Sequence, residues 1–142
     1  MSGIRVAAAV KNIEVNDNGD FITLNFSDNS LPDRFFHMLE RVQNRAESVR
    51  PKEREIREQF DENDEERVKA LAALYRELHE GIMQEVDALL GPDTCKKVFG
   101  NIVPGIELFD DFFCQLIPYF EEYSRDRAQK LSKYSPDRTG NV

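Results

Sequence analysis

Asp61-Glu62-Asn63-Asp64-Glu65-Glu66 lies between two long stretches of helical periodicity, and its reading as turn or helix decides the fold. Upstream, Phe35, Leu39, Val42, Ala46, Val49, Ile56 and Phe60 fall on one stripe, interrupted by a polar residue only at Glu53. That spacing belongs to a helix–helix seam. Downstream, Val68, Leu71, Tyr75, Leu78, Ile82, Val86 and Leu89 recur in steps of three and four. A single helix from Leu31 to Leu90 could carry the phase across through Asp64 and Arg67, but it would extend roughly 90 Å at about 1.5 Å per residue. Acidic side chains favour the start of a new helix and disfavour the end of an old one, by about 0.3 kcal/mol or more each. The run therefore reads as a turn, and residues 30–90 as an antiparallel helical hairpin.

The boundaries of that hairpin carry their own signals. Ser30-Leu31-Pro32-Asp33 reads as a helix start, with Ser30 as the cap and Asp33 in the capping-box position. Pro51 is expected to kink or restart the first helix. Gly91-Pro92 ends the second, a glycine cap followed by a residue unable to continue.

Before residue 30 the period is two. Ile4, Val6, Ala8 and Val10 alternate, Ile13 and Val15 follow, and Ile22, Leu24 and Phe26 alternate again beyond Asn16-Asp17-Asn18-Gly19-Asp20. Alternation around an Asn-Gly pair predicts a β-hairpin over residues 1–28. After residue 91, Pro92-Asp93 to Phe99 reads as a short helix closed by Gly100-Asn101, and Pro104-Gly105 precedes a last helix to about Tyr134, which Pro118 should bend. The tail at 135–142 is small and polar, the composition of a disordered end. The expected architecture is mainly α with a small N-terminal hairpin: one domain over 1–134, comprising the β-hairpin, the helical hairpin, and a short helix plus aromatic-rich C-terminal helix over 92–134.

At 142 residues the chain can bury roughly 70% of the surface its unfolded form exposes. Twenty-seven Asp/Glu against 19 Lys/Arg leave a net charge of -8. Nucleic acid needs a basic stripe and an anionic membrane needs a basic face, so neither is an expected partner. No apolar run approaches the roughly 18 residues of a membrane span. Cys95 and Cys114 form no C-x-x-C pair, and no signal sequence opens the chain, which points to a reducing cytoplasm.

Catalytic apparatus is not visible. His37 and His79 lie on separate helices without a second ligand at metal spacing, so neither metal nor cofactor is expected. The Glu14–Asn25 stretch superficially matches a calcium loop, but Asn25 replaces its terminal Glu. Phosphate loops and nucleophile elbows are missing, and the adjacent pairs Asp110-Asp111 and Glu121-Glu122 do not face each other on a helix. The chain is therefore expected not to be an enzyme.

The C-terminal region has the most unusual composition. Five of the ten phenylalanines, Phe99, Phe109, Phe112, Phe113 and Phe120, fall between residues 99 and 120. Phe109, Phe112, Phe113, Leu116, Ile117 and Phe120 make an apolar face wider than one hairpin comfortably covers, and this is the expected partner-binding surface.

Leu89-Leu90-Gly91-Pro92-Asp93-Thr94-Cys95-Lys96-Lys97-Val98-Phe99-Gly100, followed by Phe112-Phe113-Cys114-Gln115-Leu116-Ile117-Pro118-Tyr119-Phe120, resembles small tail assembly chaperones of long-tailed bacteriophages and prophages. The resemblance covers roughly residues 86–123. It implies a non-enzymatic protein of the host bacterial cytoplasm, absent from the mature virion. Such a protein binds helical segments of the tape-measure protein, with the tail-tube protein as a further partner; the wide apolar face of the C-terminal helix also leaves a homo-oligomer open. Two other readings stay open: an acidic inhibitor mimicking nucleic-acid charge, motivated by residues 61–66, and a self-assembling phage structural subunit.

Overall fold

The computed structural model describes residues 2–134, so the expectation for 135–142 lies outside the described residues. The chain is mainly helical, with a two-stranded antiparallel hairpin at its start and an aromatic-rich helix near its end. It divides after Gly105 into two compact units.

In the first unit, β1 (Val10–Glu14) pairs with β2 (Phe21–Asn25) in a register that sets Ile13 opposite Ile22 and Lys11 opposite Leu24. Ile22 and Leu24 are buried, while Val10 and Phe21, on the other face, are about half exposed. The loop is held by one side chain. Asn16 Oδ1 accepts the N–H groups of Asn18 (2.8 Å) and Asp20 (3.3 Å), and Asn16 Nδ2 donates to Asp20 Oδ2 (2.7 Å). Only Gly19 takes positive φ there, at 85°, so Asn18-Gly19 does not form the two-residue turn that needs positive φ at both positions. The residues that superficially match a calcium loop are engaged in this turn.

The strands are shorter than the alternation predicts. The ladder's last bond runs from the Phe26 N–H to the Ala9 carbonyl at 2.8 Å. Beyond it the chain turns away from β1, with the Asp28 N–H bonded to the Asn25 carbonyl at 3.1 Å. Among the described residues, 2–8 thus pair with no strand, and Ile4 and Val6 are each 88% exposed.

Three helices follow: α1 (Leu31–Ser48), α2 (Arg50–Gln59) and α3 (Glu65–Leu90). Ser30 holds the N-cap position of α1, but its side chain makes no capping bond. Asp28 accepts the Ser30 N–H at 2.9 Å and its hydroxyl at 2.6 Å, and takes Arg34 Nη2 at 3.0 Å. Those Ser30 bonds, aided by Arg34, hold the Asp28 carboxyl below its ordinary 3.8. Pro51 restarts the helix, because its missing N–H cannot meet the Glu47 carbonyl and Val49 becomes the junction between α1 and α2.

Residues 61–64 form the turn, with Asn63 at φ 66° and Asp64 capping α3 by accepting the Glu66 N–H at 2.9 Å. Helix α3 then packs antiparallel along both α1 and α2. The buried positions of α1 are Leu31, Phe35, Met38 and Val42, facing Ile82 and Val86 of α3 in the core of this unit. Each contributes about 1.5–3 kcal/mol by leaving water. Met38 rather than Leu39 is fully enclosed. Leu31, Phe35, Met38 and Val42 alternate in steps of four, three and four, whereas Leu39 sits on the flank of that line and is half buried.

The polar break at Glu53 has a partner across the seam, since the Tyr75 hydroxyl of α3 donates to its carboxylate. That bond, together with burial, raises the phenol above its ordinary 10.0. The short helix α4 (Thr94–Phe99) is tied to the end of α3, where Asp87 Oδ1 accepts the Cys95 N–H at 2.9 Å. It is also tied to the hairpin loop, as Asn16 Nδ2 donates to the Lys97 carbonyl at 2.9 Å.

In the second unit, α5 (Ile106–Leu131) runs through Pro118 as one helix and ends in a 3-10 turn at Ser132–Tyr134. Among the described residues no helix is long and apolar enough to cross a membrane.

Candidate partner-binding face

Helix α5 forms because its apolar residues recur at helical spacing and its end charges match the dipole, Glu107 in the first turn and Lys130 in the last. Ion pairs Glu121–Arg125 (3.4 Å) and Asp126–Lys130 (3.1 Å) bridge successive turns of its solvent side. At about 100° per residue, Phe109, Phe112, Phe113, Leu116 and Phe120 fall on one broad face. All five are buried, Phe109 completely. The Phe109 and Phe113 rings stack with centroids 6.1 Å apart, and Phe112 lies tilted against Phe113 at the same distance.

Ile117, the sixth residue of the expected binding surface, is 40% exposed. It lies eleven residues from Ile106, almost in line with it on the helix, and the two mark one rim of the buried face; Leu108 marks the opposite rim. Ile106 and Leu108 are exposed to nearly the same degree as Ile117. What α5 offers to a partner in this conformation is therefore an apolar rim.

The remaining candidates separate on the same grounds. His37 is exposed, and His79 Nδ1 meets the Tyr75 carbonyl one turn earlier at 2.5 Å. Among the described residues no group of His, Cys, Asp and Glu is placed to hold a metal ion. Asp110, Asp111, Glu121 and Glu122 are all exposed. Cys95 is buried, and that burial, reinforced by Asp87, drives its thiol far above the ordinary value, whereas Cys114 on α5 is exposed.

One surface was not anticipated by periodicity. Between α2 and α3, Ile56, Ala70, Ala73 and Leu74 line a shallow open groove edged by Lys52, Glu55, Gln59 and Glu77. No residue of α2 is buried, and the seam residues Glu53, Ile56 and Phe60 are only half covered. The signal was available in Ala70-Leu71-Ala72-Ala73, side chains too small to close a gap between helices.

The profile of a family described as "Family of unknown function (DUF6673)" matches residues 18–141. No curated protein and no solved structure matches the chain.

Proposed function

The chain belongs to the DUF6673 family, and we propose that it is a non-enzymatic tail assembly chaperone of a long-tailed phage or prophage. In this role it binds helical segments of the tape-measure protein in the host cytoplasm and keeps them soluble until the tail-tube protein assembles around them. The observation that carries the reading is the aromatic face of α5 with its exposed rim. A helix bearing Phe109, Phe113, Leu116 and Phe120 on one side is the apolar half of a helix-in-groove contact, and a client helix recognised by anchors at three- and four-residue steps supplies the other half.

The remaining features support the same reading. A tape measure is a very long helical chain with apolar seams, and a complex carrying this chain's charge of -8 resists aggregation. The resemblance over residues 86–123 spans the end of α3, all of α4 and the aromatic centre of α5, which includes the proposed face. The exposed rim residues Ile106 and Ile117 make the first contact with the client.

Co-expression tests this reading. A tape-measure protein from the same genome is expected in the soluble fraction when both are made, and in the pellet when it is made alone. A client equally soluble without its partner contradicts the proposal.

A further inference from the structure

We infer that the segment Ile4–Glu14 is a self-association edge, which pairs antiparallel with the same segment of a second copy of this chain about a two-fold axis near Ala9. Two two-stranded hairpins then become one four-stranded sheet.

The geometry begins with an unfilled edge. β1 is bonded to β2 on one side, and among the described residues no strand pairs with its other side. The segment before it lies outside the ladder, because β2 turns away after Phe26 bonds to Ala9, and Ile4 and Val6 stand exposed there. It alternates Ile4, Val6 and Ala8 with Arg5 and Ala7. Residues 2–14 hold no proline, and an exposed, apolar edge of this kind is a template for another strand. A lone two-stranded hairpin is marginal in water, so added strands stabilise it.

Charge selects both the occupant and the direction. Residues 2–11 carry Arg5 and Lys11 and no acid, while residues 12–30 carry Glu14, Asp17, Asp20 and Asp28 and no Lys or Arg. Antiparallel pairing of two copies brings each Arg5 end beside the other copy's Glu14 end. Parallel pairing would set Arg5 against Arg5 and Lys11 against Lys11. At the crossing lie Ala7, Ala8 and Ala9, small enough for close approach on either face. The edge is therefore complementary to itself, as an isologous interface requires.

Light scattering on the full chain at tens of micromolar tests the inference. The expected mass is twice 16.4 kDa, falling to one chain in Val6→Pro, which removes a strand N–H. Val6 is exposed in the single chain, so helical circular dichroism should not change. In a Cys114→Ser background, Ala9→Cys should give a disulfide-linked dimer on mild oxidation. A wild-type mass of one chain, or an assembly of any size that survives Val6→Pro, overturns the inference. So does a failure of Ala9→Cys to cross-link.

Discussion

Nε of Arg41 donates to Oε2 of Glu85 at 2.6 Å, joining α1 to α3 above the core. Arg45 reaches the other carboxylate oxygen at 3.2 Å, so one acid is held between two cations one turn apart. Burial pushes the Glu85 carboxyl up, but the two guanidinium bonds outweigh it and the net shift is below the ordinary 4.5. A lowered folded value means that the contribution to stability is fully present above the unfolded value and is lost as pH falls through the folded one. Glu85→Ala should cost about 1–2 kcal/mol near neutral pH, since both arginines are half exposed and partly screened. The urea midpoints of Glu85→Gln and wild type should converge as the pH is lowered from about 5 toward 3.

Gly81 is buried in the middle of α3, where a Cβ would lie 2.7 Å from Arg45 Nη1. Alanine gains about 1 kcal/mol in helix propensity over glycine, but it must displace the end of Arg45 from Glu85. Gly81→Ala alone should therefore change stability little. In an Arg45→Ala background the same substitution should stabilise by about 0.5–1 kcal/mol. Equal effects in both backgrounds would show that Arg45 is not what the glycine accommodates.

Cys95 and Cys114 should react differently. Cys95 is enclosed, its thiol far above the ordinary range, with Sγ facing the Met83 carbonyl at 3.8 Å. Cys114 is exposed. Under native conditions a thiol reagent should label one site per chain, at Cys114, and reach Cys95 only with unfolding. Mass spectrometry of the labelled peptides distinguishes the two.

On α5, burial divides the proposed partner-binding residues into two mutational classes. Phe113→Asp places a charge at a buried site and should destabilise by about 3 kcal/mol or more. Ile117→Asp alters a partly exposed side chain, so the melting temperature should move by only a few degrees. Thermal unfolding of the two variants checks the contrast.

Legibility in the sequence followed the range of the interaction. The break at residues 61–66 could be read because its charges act on helix ends within one turn, and the caps at Gly91 and Gly100 because only local backbone geometry is involved. Ser30 stands at the N-cap position, as its residue type suggests, but its side chain makes no capping bond. Asp28, Ser30 and Asp33 all offer side-chain oxygens there, and only the chain path shows that Asp28 takes the N–H and Arg34. The partner of Glu53 lies 22 residues away on α3, beyond any periodic pattern. The truncation of β1 depended on where β2 turns, which alternation in residues 4–10 does not encode. Of the candidate binding residues, helical spacing placed all six near one face, but could not show that Ile117 stands on its rim.

The proposed chaperone role is tested most directly by the soluble fraction of a tape-measure protein from the same genome, co-expressed with wild-type chain or with Ile117→Asp. The client should stay soluble with wild type and return to the pellet with Ile117→Asp, although that variant is itself folded and abundant. If Ile117→Asp supports the client as well as wild type does, the α5 rim is not the client-binding surface.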